Sequence, residues 1–325
     1  MKPGLLLFLL GAACGLVSYA WLAAASWQPH PSPEMFFGSY LLGVLAWLLG
    51  LAAVARQGAP TVAVILAGVL FRGFMLGAAP LFENDYWRYL WDGRLLLAGV
   101  NPYLHAPLDA GVAHLRFPGS DNIGYPTVPT CYPPLAELLF TLPWRLGHPS
   151  VDALRLLFIG CEAVLVACLA LHLRARQQPL ARLLVYLWHP LAMREVVGNA
   201  HFEPLPLAFL AVSAWLYQSG RRGAGTTALA CSVVSKTYAL LVAPLWCRRR
   251  DWPLLLVLVA LCYLPFVQDG WHWLDGMRAF ATRWRYNGGI FEGVRYLLLA
   301  TQAFDKPTAL AVARALMVLL FLGVL

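Results

Sequence analysis

The chain has 325 residues, of which 60% are hydrophobic and only 12% are charged, and its mean hydropathy is +0.64. Soluble domains carry about 25% charged residues, so this composition excludes a soluble globular protein and predicts an integral membrane protein. The net charge of +8 does not indicate a nucleic-acid partner, because the basic residues punctuate hydrophobic runs instead of forming one stripe. The seven cysteines form no CxxC pair, so neither a disulfide framework nor a zinc site is supported.

Apolar runs predict an all-α polytopic bundle with about nine or ten membrane elements in one domain, residues 1–325. The predicted spans are Gly4–Ala25 (a retained helix, because no convincing cleavage site ends it), Phe36–Ala55, Pro60–Pro80, Val151–Leu173, Leu180–Val197, Leu205–Tyr217, Pro253–Val267 and Leu310–Leu325. Two further elements are irregular. Pro133–Leu146 is short and is expected to be re-entrant or interfacial, and Gly223–Trp246 is expected to break near Ser235–Lys236. The chain ends inside an apolar run, so a missing C-terminal portion is expected.

Two long polar loops, residues 81–132 and 268–296, separate these runs. The short loops carry most of the basic clusters, which the positive-inside rule places in the cytoplasm. The long loops are then extracytoplasmic, and they hold most of the acidic residues. Loops of this length on one face are rarely idle connections, so we expect the functional site there.

The stretch Glu83–Tyr103 is charged, aromatic and predicted to be an interfacial helix. At 100° per residue, Asp85, Arg88, Tyr89 and Asp92 share about one third of the circumference and should face a polar region. A carboxylate there could deprotonate a sugar hydroxyl, hold a divalent cation or pair with Arg88. The alternative is an anchoring helix whose acids and arginine are only spacing neighbours.

Other charged residues stand in or beside apolar runs, where a charge is costly and often functional. Arg72 could snorkel to the interface or clamp a headgroup phosphate. Lys236 could contact phosphate or form a buried pair. In MREVVGNAHFEPL, His201 and Glu203 could orient a hydroxyl, bind a metal weakly or cap a helix.

Four motifs, FENDYWRYLWDGRLLLAGVNPY, YPPLAELLF, EVVGNAHFEPLPL and RWRYNGGIFEGVRYLL, together resemble the bacterial polytopic mannosyltransferase-like proteins of the GT-C glycosyltransferase superfamily. The resemblance covers roughly Arg72 to Tyr296. It implies a polyprenyl-phosphate mannose donor, a glycan or lipid acceptor, and an extracytoplasmic site in the bacterial inner membrane. By the same resemblance Asp85 would be the catalytic base and Asp92 a secondary acid, although the acidic motif usually follows the first span and here follows the third. The candidate substrate-binding residues are Arg72, Arg88, Tyr89, Asn101, Glu195, His201, Glu203, Lys236, Arg283, Arg285 and Asn287.

The mechanistic hypothesis is direct displacement at the anomeric carbon with inversion, in which Asp85 accepts the acceptor proton and cationic side chains stabilise the departing phosphate. No metal ligand is assigned, and metal dependence is left open. The main rival is a transporter or flippase for a lipid-linked or anionic substrate, which would predict internal repeats and mid-membrane polar residues. No repeat is evident. A third hypothesis, a non-catalytic membrane scaffold, does not explain the paired acids and the tryptophans.

Overall fold

The computed structural model describes residues 2–28, 30, 32–284 and 288–324, apart from the side chains of residues 321, 322 and 324. Every regular element in these residues is helical and none is a strand, which confirms the all-α prediction. The α-helices are α1 Pro3–Ser26, α2 Pro33–Ala55, α3 Thr61–Leu76, α4 Asp85–Leu97, α5 Pro134–Phe140, α6 Leu142–Arg145, α7 Val151–Ala175, α8 Leu184–Leu187, α9 Pro190–Ala192, α10 Pro204–Gln218, α11 Arg222–Val233, α12 Ala243–Trp246, α13 Trp252–Tyr263, α14 Asp275–Arg283, α15 Gly289–Ala300 and α16 Lys306–Val324. Short 3-10 helices cover Ala110–Leu115, Ser120–Asn122, Leu180–Leu183, Thr237–Val242, Arg249–Asp251, Leu264–Phe266 and His272–Leu274, and a π-helix covers Met193–Gly198.

Within the described residues, three helices, α1, α2 and α7, are long and apolar enough to cross a bilayer, with 24, 23 and 25 residues. They coincide with three of the predicted spans, and the protein is an integral membrane protein. The chain divides into two compact units, Met1–Met277 and Arg278–Leu325. The first contains the motifs up to Lys236, and the second contains α15 and α16. That residues 1–325 form a single membrane domain stays a prediction.

A buried ion pair joins α3 to α7. The guanidinium of Arg72 lies 2.6 Å from each carboxylate oxygen of Glu162, and its Nη1 also donates to the carbonyls of Gly68 and Leu187. Both side chains are almost fully buried. An arginine so occupied neither snorkels to the interface nor offers a free fork to a headgroup, which are the two roles that the sequence suggested.

The prediction of one continuous span over Leu180–Val197 is wrong. The segment is instead a 3-10 turn, the short helices α8 and α9, and the π-helix Met193–Gly198. Pro190 explains the break, since proline lacks an amide hydrogen and disfavours helical backbone in the residue before it, and His189 is extended. The π-helix is followed by Ala200, whose φ of 58° is left-handed. This irregular backbone presents the following residue, His201, to the site described below.

The predicted break near Ser235–Lys236 is confirmed. Helix α11 ends at Val233, Lys236 has extended backbone, and a 3-10 helix begins at Thr237. Lys236 therefore lies at an interruption between two helices and is not part of either helix. The break places Lys236 beside the connection between the π-helix and α10.

Helix α4 lies inside the stretch predicted to be helical, but most of its length is covered by α5 and α6. A Cβ at Gly93 would stand 2.1 Å from the carbonyl oxygen of Phe140, so only glycine permits this approach. The indole of Trp144 donates to the carbonyl of Leu90 at 2.7 Å. The prediction of a single polar face is therefore wrong beyond the first turn, because Arg88 and Asp92 point into the protein.

Candidate active site

Asp85 is the first residue of α4 and is only partly buried. One of its carboxylate oxygens, Oδ2, accepts a long hydrogen bond of 3.3 Å from the hydroxyl of Tyr132. Burial, followed by the negative charge of Glu83, raises the pKa of Asp85, and the nearby His201 and the Tyr132 hydroxyl offset that rise only in part. A carboxylate of raised pKa with a free oxygen has the properties of a general base.

His201 faces Asp85 from the irregular segment after the π-helix. Its Nδ1 lies 2.8 Å from Oε2 of Glu195, and its backbone amide donates to the Glu195 carbonyl, also at 2.8 Å. These two contacts fix the ring, so that Nε2 points toward Glu83, 3.8 Å from its Oε2. The Nε2 atom is buried and has no hydrogen-bond partner within the part of the chain that the structure describes.

Glu83, Asp85 and His201 converge so closely that one ligand atom of each lies within 4.8 Å of the others. Together with Glu195 we call them the open cluster, because each side chain keeps some exposure to solvent. Asn199 links Glu195 to the backbone just before Glu83. Its side-chain amide nitrogen lies 3.3 Å from Oε2 of Glu195, and its side-chain amide oxygen accepts a hydrogen bond from Leu81 N at 3.3 Å.

The charges of the open cluster shape its protonation. Burial disfavours the charged imidazolium, but the hydrogen bond to Glu195 and the charges of Glu203, Glu195 and Asp85 outweigh it, so the pKa of His201 is raised. Burial raises the pKa of Glu195, but the contacts with His201 and Arg194 lower it by more, so the pKa of Glu195 is lowered. Glu195 is therefore the anionic anchor that holds the imidazole ring in place.

Lys236 stands at the edge of the open cluster. Its amine pairs with Oε1 of Glu203, and it lies 4.8 Å from the ring centre of Phe202. That ring belongs to a buried aromatic group with Tyr89, Tyr132 and Phe140, whose centroids lie 4.5–5.7 Å apart. We call these four packed rings the aromatic floor. Because the Tyr132 hydroxyl also donates to Asp85, the aromatic floor contacts both Asp85 and Lys236.

Asp92 lies about two turns further along α4 in a different environment. Its side chain is completely buried, and both carboxylate oxygens accept from Arg88 Nε at 2.8 and 2.9 Å. Nearby, Glu137 is equally buried and accepts from the Thr130 hydroxyl at 2.7 Å. Burial and then the charge of Asp92 raise the pKa of Glu137 well above its ordinary value, which favours its uncharged form. We call Arg88, Asp92, Thr130 and Glu137 the closed cluster.

The structure thus brings together five of the predicted site residues, Asp85, Glu195, His201, Glu203 and Lys236. Several of the other candidates have different contacts. Asn101 donates a hydrogen bond to the carbonyl of Phe266 at 3.1 Å and accepts one from Tyr103 N, so these contacts stabilise the loop conformation. Tyr89 belongs to the aromatic floor, Arg88 to the closed cluster and Arg72 to the ion pair with Glu162. Arg283 ends α14 in the second compact unit. Arg285 and Asn287 lie outside the described residues.

Several residues of these networks were not among the sequence candidates. Arg155, 1% exposed, donates to the carbonyls of Leu76 and Gly198 and so pins the turn before His201. Glu137 and Glu162 are acids inside apolar runs, which is a signal that each has a buried partner. Glu83 was visible as one acid of the ENDY motif, but it precedes α4 and escapes any helical periodicity.

Comparison with known families gives one match that covers most of this region. A model of the MptA/B family, described as alpha-(1->6)-mannopyranosyltransferase, N-terminal domain, matches residues 18–248. The match confirms the resemblance that the motifs indicated, and it spans both clusters and Lys236. Neither the curated proteins nor the solved structures gave a significant match.

Proposed function

Because this chain belongs to the MptA/B family of alpha-(1->6)-mannopyranosyltransferases, we propose that its open cluster is where it transfers mannose, with Asp85 as the base. The donor is a polyprenyl-phosphate mannose, and the acceptor is the 6-hydroxyl of a glycan. The family description supports both choices, because an alpha-(1->6) linkage is made to a 6-hydroxyl and a lipid-linked donor can present its sugar at the membrane. The orientation given by the basic loops supports an extracytoplasmic site in the inner membrane of a bacterium.

One observation carries the choice of base: Asp85 is partly exposed and, among the described residues, its side chain is hydrogen-bonded to the neutral hydroxyl of Tyr132 alone, whereas Asp92 is buried against Arg88. A base must reach the acceptor hydroxyl and must keep one carboxylate oxygen free to accept its proton. Asp85 meets both requirements, and Asp92 meets neither. This contrast supports Asp85 as the base, a choice that spacing on a helical wheel leaves open.

The reaction is a single displacement. The acceptor oxygen attacks the anomeric carbon while Asp85 takes the hydroxyl proton. The bond between the anomeric carbon and the phosphate oxygen breaks, and the electron pair leaves with the polyprenyl phosphate. Attack opposite the leaving group inverts the anomeric configuration. The phosphate gains negative charge as this bond breaks, so cations are needed beside it.

Lys236 and Arg194 are the cations best placed to meet that charge. Each already contacts an acid of the site, Glu203 and Glu195 respectively, yet each retains about a third of its side-chain exposure. Arg72 and Arg88 are unsuitable, since each is committed to a buried carboxylate. The polyprenyl tail remains in the bilayer beside these residues, which accounts for a transfer site in a membrane protein.

The proposal is tested with the purified protein in lipid vesicles, supplied with radiolabelled polyprenyl-phosphate mannose and a mannoside acceptor. We expect a labelled product with a new alpha-(1->6) bond, and we expect Asp85→Asn to reduce its rate by about 10²–10⁴-fold. Asp121→Asn is the matched control, because Asp121 is an exposed aspartate of the same loop. Full activity in Asp85→Asn would refute the assignment of the base. Movement of the lipid across the bilayer without a new glycosidic bond would favour a flippase instead.

A further inference from the structure

The open cluster carries more negative than positive charge. The open cluster and the residues paired with it or beside it hold four carboxylates, those of Glu83, Asp85, Glu195 and Glu203. The cations among them are Arg194 and Lys236, with one histidine, His201. Even with His201 protonated, one negative charge remains in excess. A phosphate that becomes more anionic during the reaction would be repelled from such a site. Within the described part of the chain, the side chains around the open cluster therefore leave this negative charge unbalanced.

We propose that Glu83, Asp85 and His201 bind a divalent cation of the Mn²⁺ or Zn²⁺ class. The role of this ion beside the donor phosphate rests on the function proposed above, whereas its binding does not. Ligands 2.0–2.2 Å from one ion lie roughly 3–4.4 Å from each other. The ligand atoms of these residues already lie within 4.8 Å of one another, so small side-chain rotations complete the site.

The state of His201 is the independent observation that points to a ligand. Its Nε2 atom is buried, has no hydrogen-bond partner among the described residues and lies 3.8 Å from Oε2 of Glu83. Its Nδ1 is held at 2.8 Å by Glu195. Histidines that bind metals characteristically give their other ring N–H to a carboxylate, which fixes the ring and directs the free nitrogen at the ion. Asn199 and Arg194 in turn hold Glu195, at 3.3 and 3.1 Å.

The donor set selects the kind of cation. One imidazole nitrogen with two carboxylate oxygens suits Mn²⁺ and Zn²⁺ better than Ca²⁺ or Mg²⁺, which prefer oxygen alone. Three protein ligands leave coordination positions open for a phosphate oxygen. Asp85 can bind the ion through one oxygen and keep the other for the acceptor proton. The ion would then neutralise the excess charge and stand where the phosphate departs.

The test is direct binding of Mn²⁺ alone. Purified full-length protein in detergent is stripped with a chelator and titrated with Mn²⁺, and the free ion is followed by its electron paramagnetic resonance signal. We expect one site per chain. We expect His201→Gln and Glu83→Gln each to weaken it by at least about 10-fold, and Glu195→Gln to weaken it by about 10–100-fold. His272→Gln is the matched control, because His272 also lies 2.9 Å from a carboxylate, that of Asp275, outside the open cluster.

The outcomes separate the site from the reaction. Absence of a Mn²⁺ site in the wild-type protein, or binding by Glu83→Gln and His201→Gln equal to that of His272→Gln, would overturn the proposal. Glu83 is partly exposed, so Glu83→Gln remains informative if the histidine variant misfolds. Transfer at full rate in the stripped protein would overturn the ion's role in the reaction. Binding of Mn²⁺ to a protein that makes no glycosidic bond would support the site and count against the proposed function.

Discussion

One short helix, α4, supplies an aspartate to each of two charge clusters that differ in almost every physical respect. Asp85 begins the helix in the open cluster, next to Glu83 and His201. Asp92 lies in the closed cluster, completely buried and bound by Arg88. The two aspartates belong to the same motif and the same helical face, yet only one of them keeps a carboxylate that a substrate can reach.

The difference lies in charge balance as much as in burial. In the closed cluster Arg88 neutralises Asp92, and the raised pKa of Glu137 favours its uncharged form. In the open cluster the acids outnumber the cations, which water or a ligand must compensate. Buried charges that neutralise each other indicate a structural role. Accessible charges without enough counter-charge indicate a site that binds a ligand. Variants in each cluster should therefore fail in different measurements.

Asp92→Asn should produce the largest loss of stability. It leaves the Arg88 guanidinium buried without its carboxylate, which typically costs about 3–5 kcal/mol. The free energy of unfolding in detergent micelles measures this loss. Asp85→Asn is the matched comparison, since it removes the same charge from a partly exposed site and should leave stability nearly unchanged. An Asp92→Asn protein as stable as the wild type but unable to transfer mannose would reverse the roles of the two clusters.

Arg155→Lys should have an intermediate effect, confined to the open cluster. The two terminal nitrogens of Arg155 donate to different carbonyls, those of Leu76 and Gly198, and a single amine cannot span both. Loss of one such charged hydrogen bond costs about 1.5–3 kcal/mol and loosens the turn before His201. We expect lower unfolding stability together with weaker transfer. Arg116→Lys is the control, because Arg116 contacts one carbonyl, that of Pro107. Unchanged transfer in Arg155→Lys would show that the turn is held by other contacts.

Features that depend on local sequence could be predicted. The periodic charges of Glu83–Tyr103 predicted a helix, and α4 forms inside that stretch. Arginines on both sides of Gly223–Trp246 predicted a broken element, and the chain breaks at Lys236. The motif containing His201 was predicted to bind substrate, and the structure places His201 close to Asp85. In each instance a few neighbouring residues carry the information.

Features that depend on which elements pack together could not be predicted. Arg72 and Glu162 both stand out as charges in apolar runs, but periodicity gives no register between α3 and α7 that would pair them. A helical wheel places Asp85 and Asp92 on one face, and only the approach of α5 at Gly93 covers one of them. Pro190 signals a break, but not the π-helix and left-handed Ala200 that aim His201.

Glu137→Gln should have the smallest effect, and it tests whether the closed cluster is neutral. Because the folded-state pKa of Glu137 is raised, its contribution to stability is fully present below the ordinary carboxyl pKa. That contribution is lost as the pH rises through the folded-state pKa. Glutamine resembles the protonated acid and keeps an oxygen for the Thr130 hydroxyl, so the unfolding free energy should change by less than about 1 kcal/mol below the ordinary carboxyl pKa. Measured across pH, the variant should lose less stability toward alkaline pH than the wild type. A loss as large as that of Asp92→Asn would mean that Glu137 is ionised and shares Arg88, and the closed cluster would then carry a net negative charge of its own.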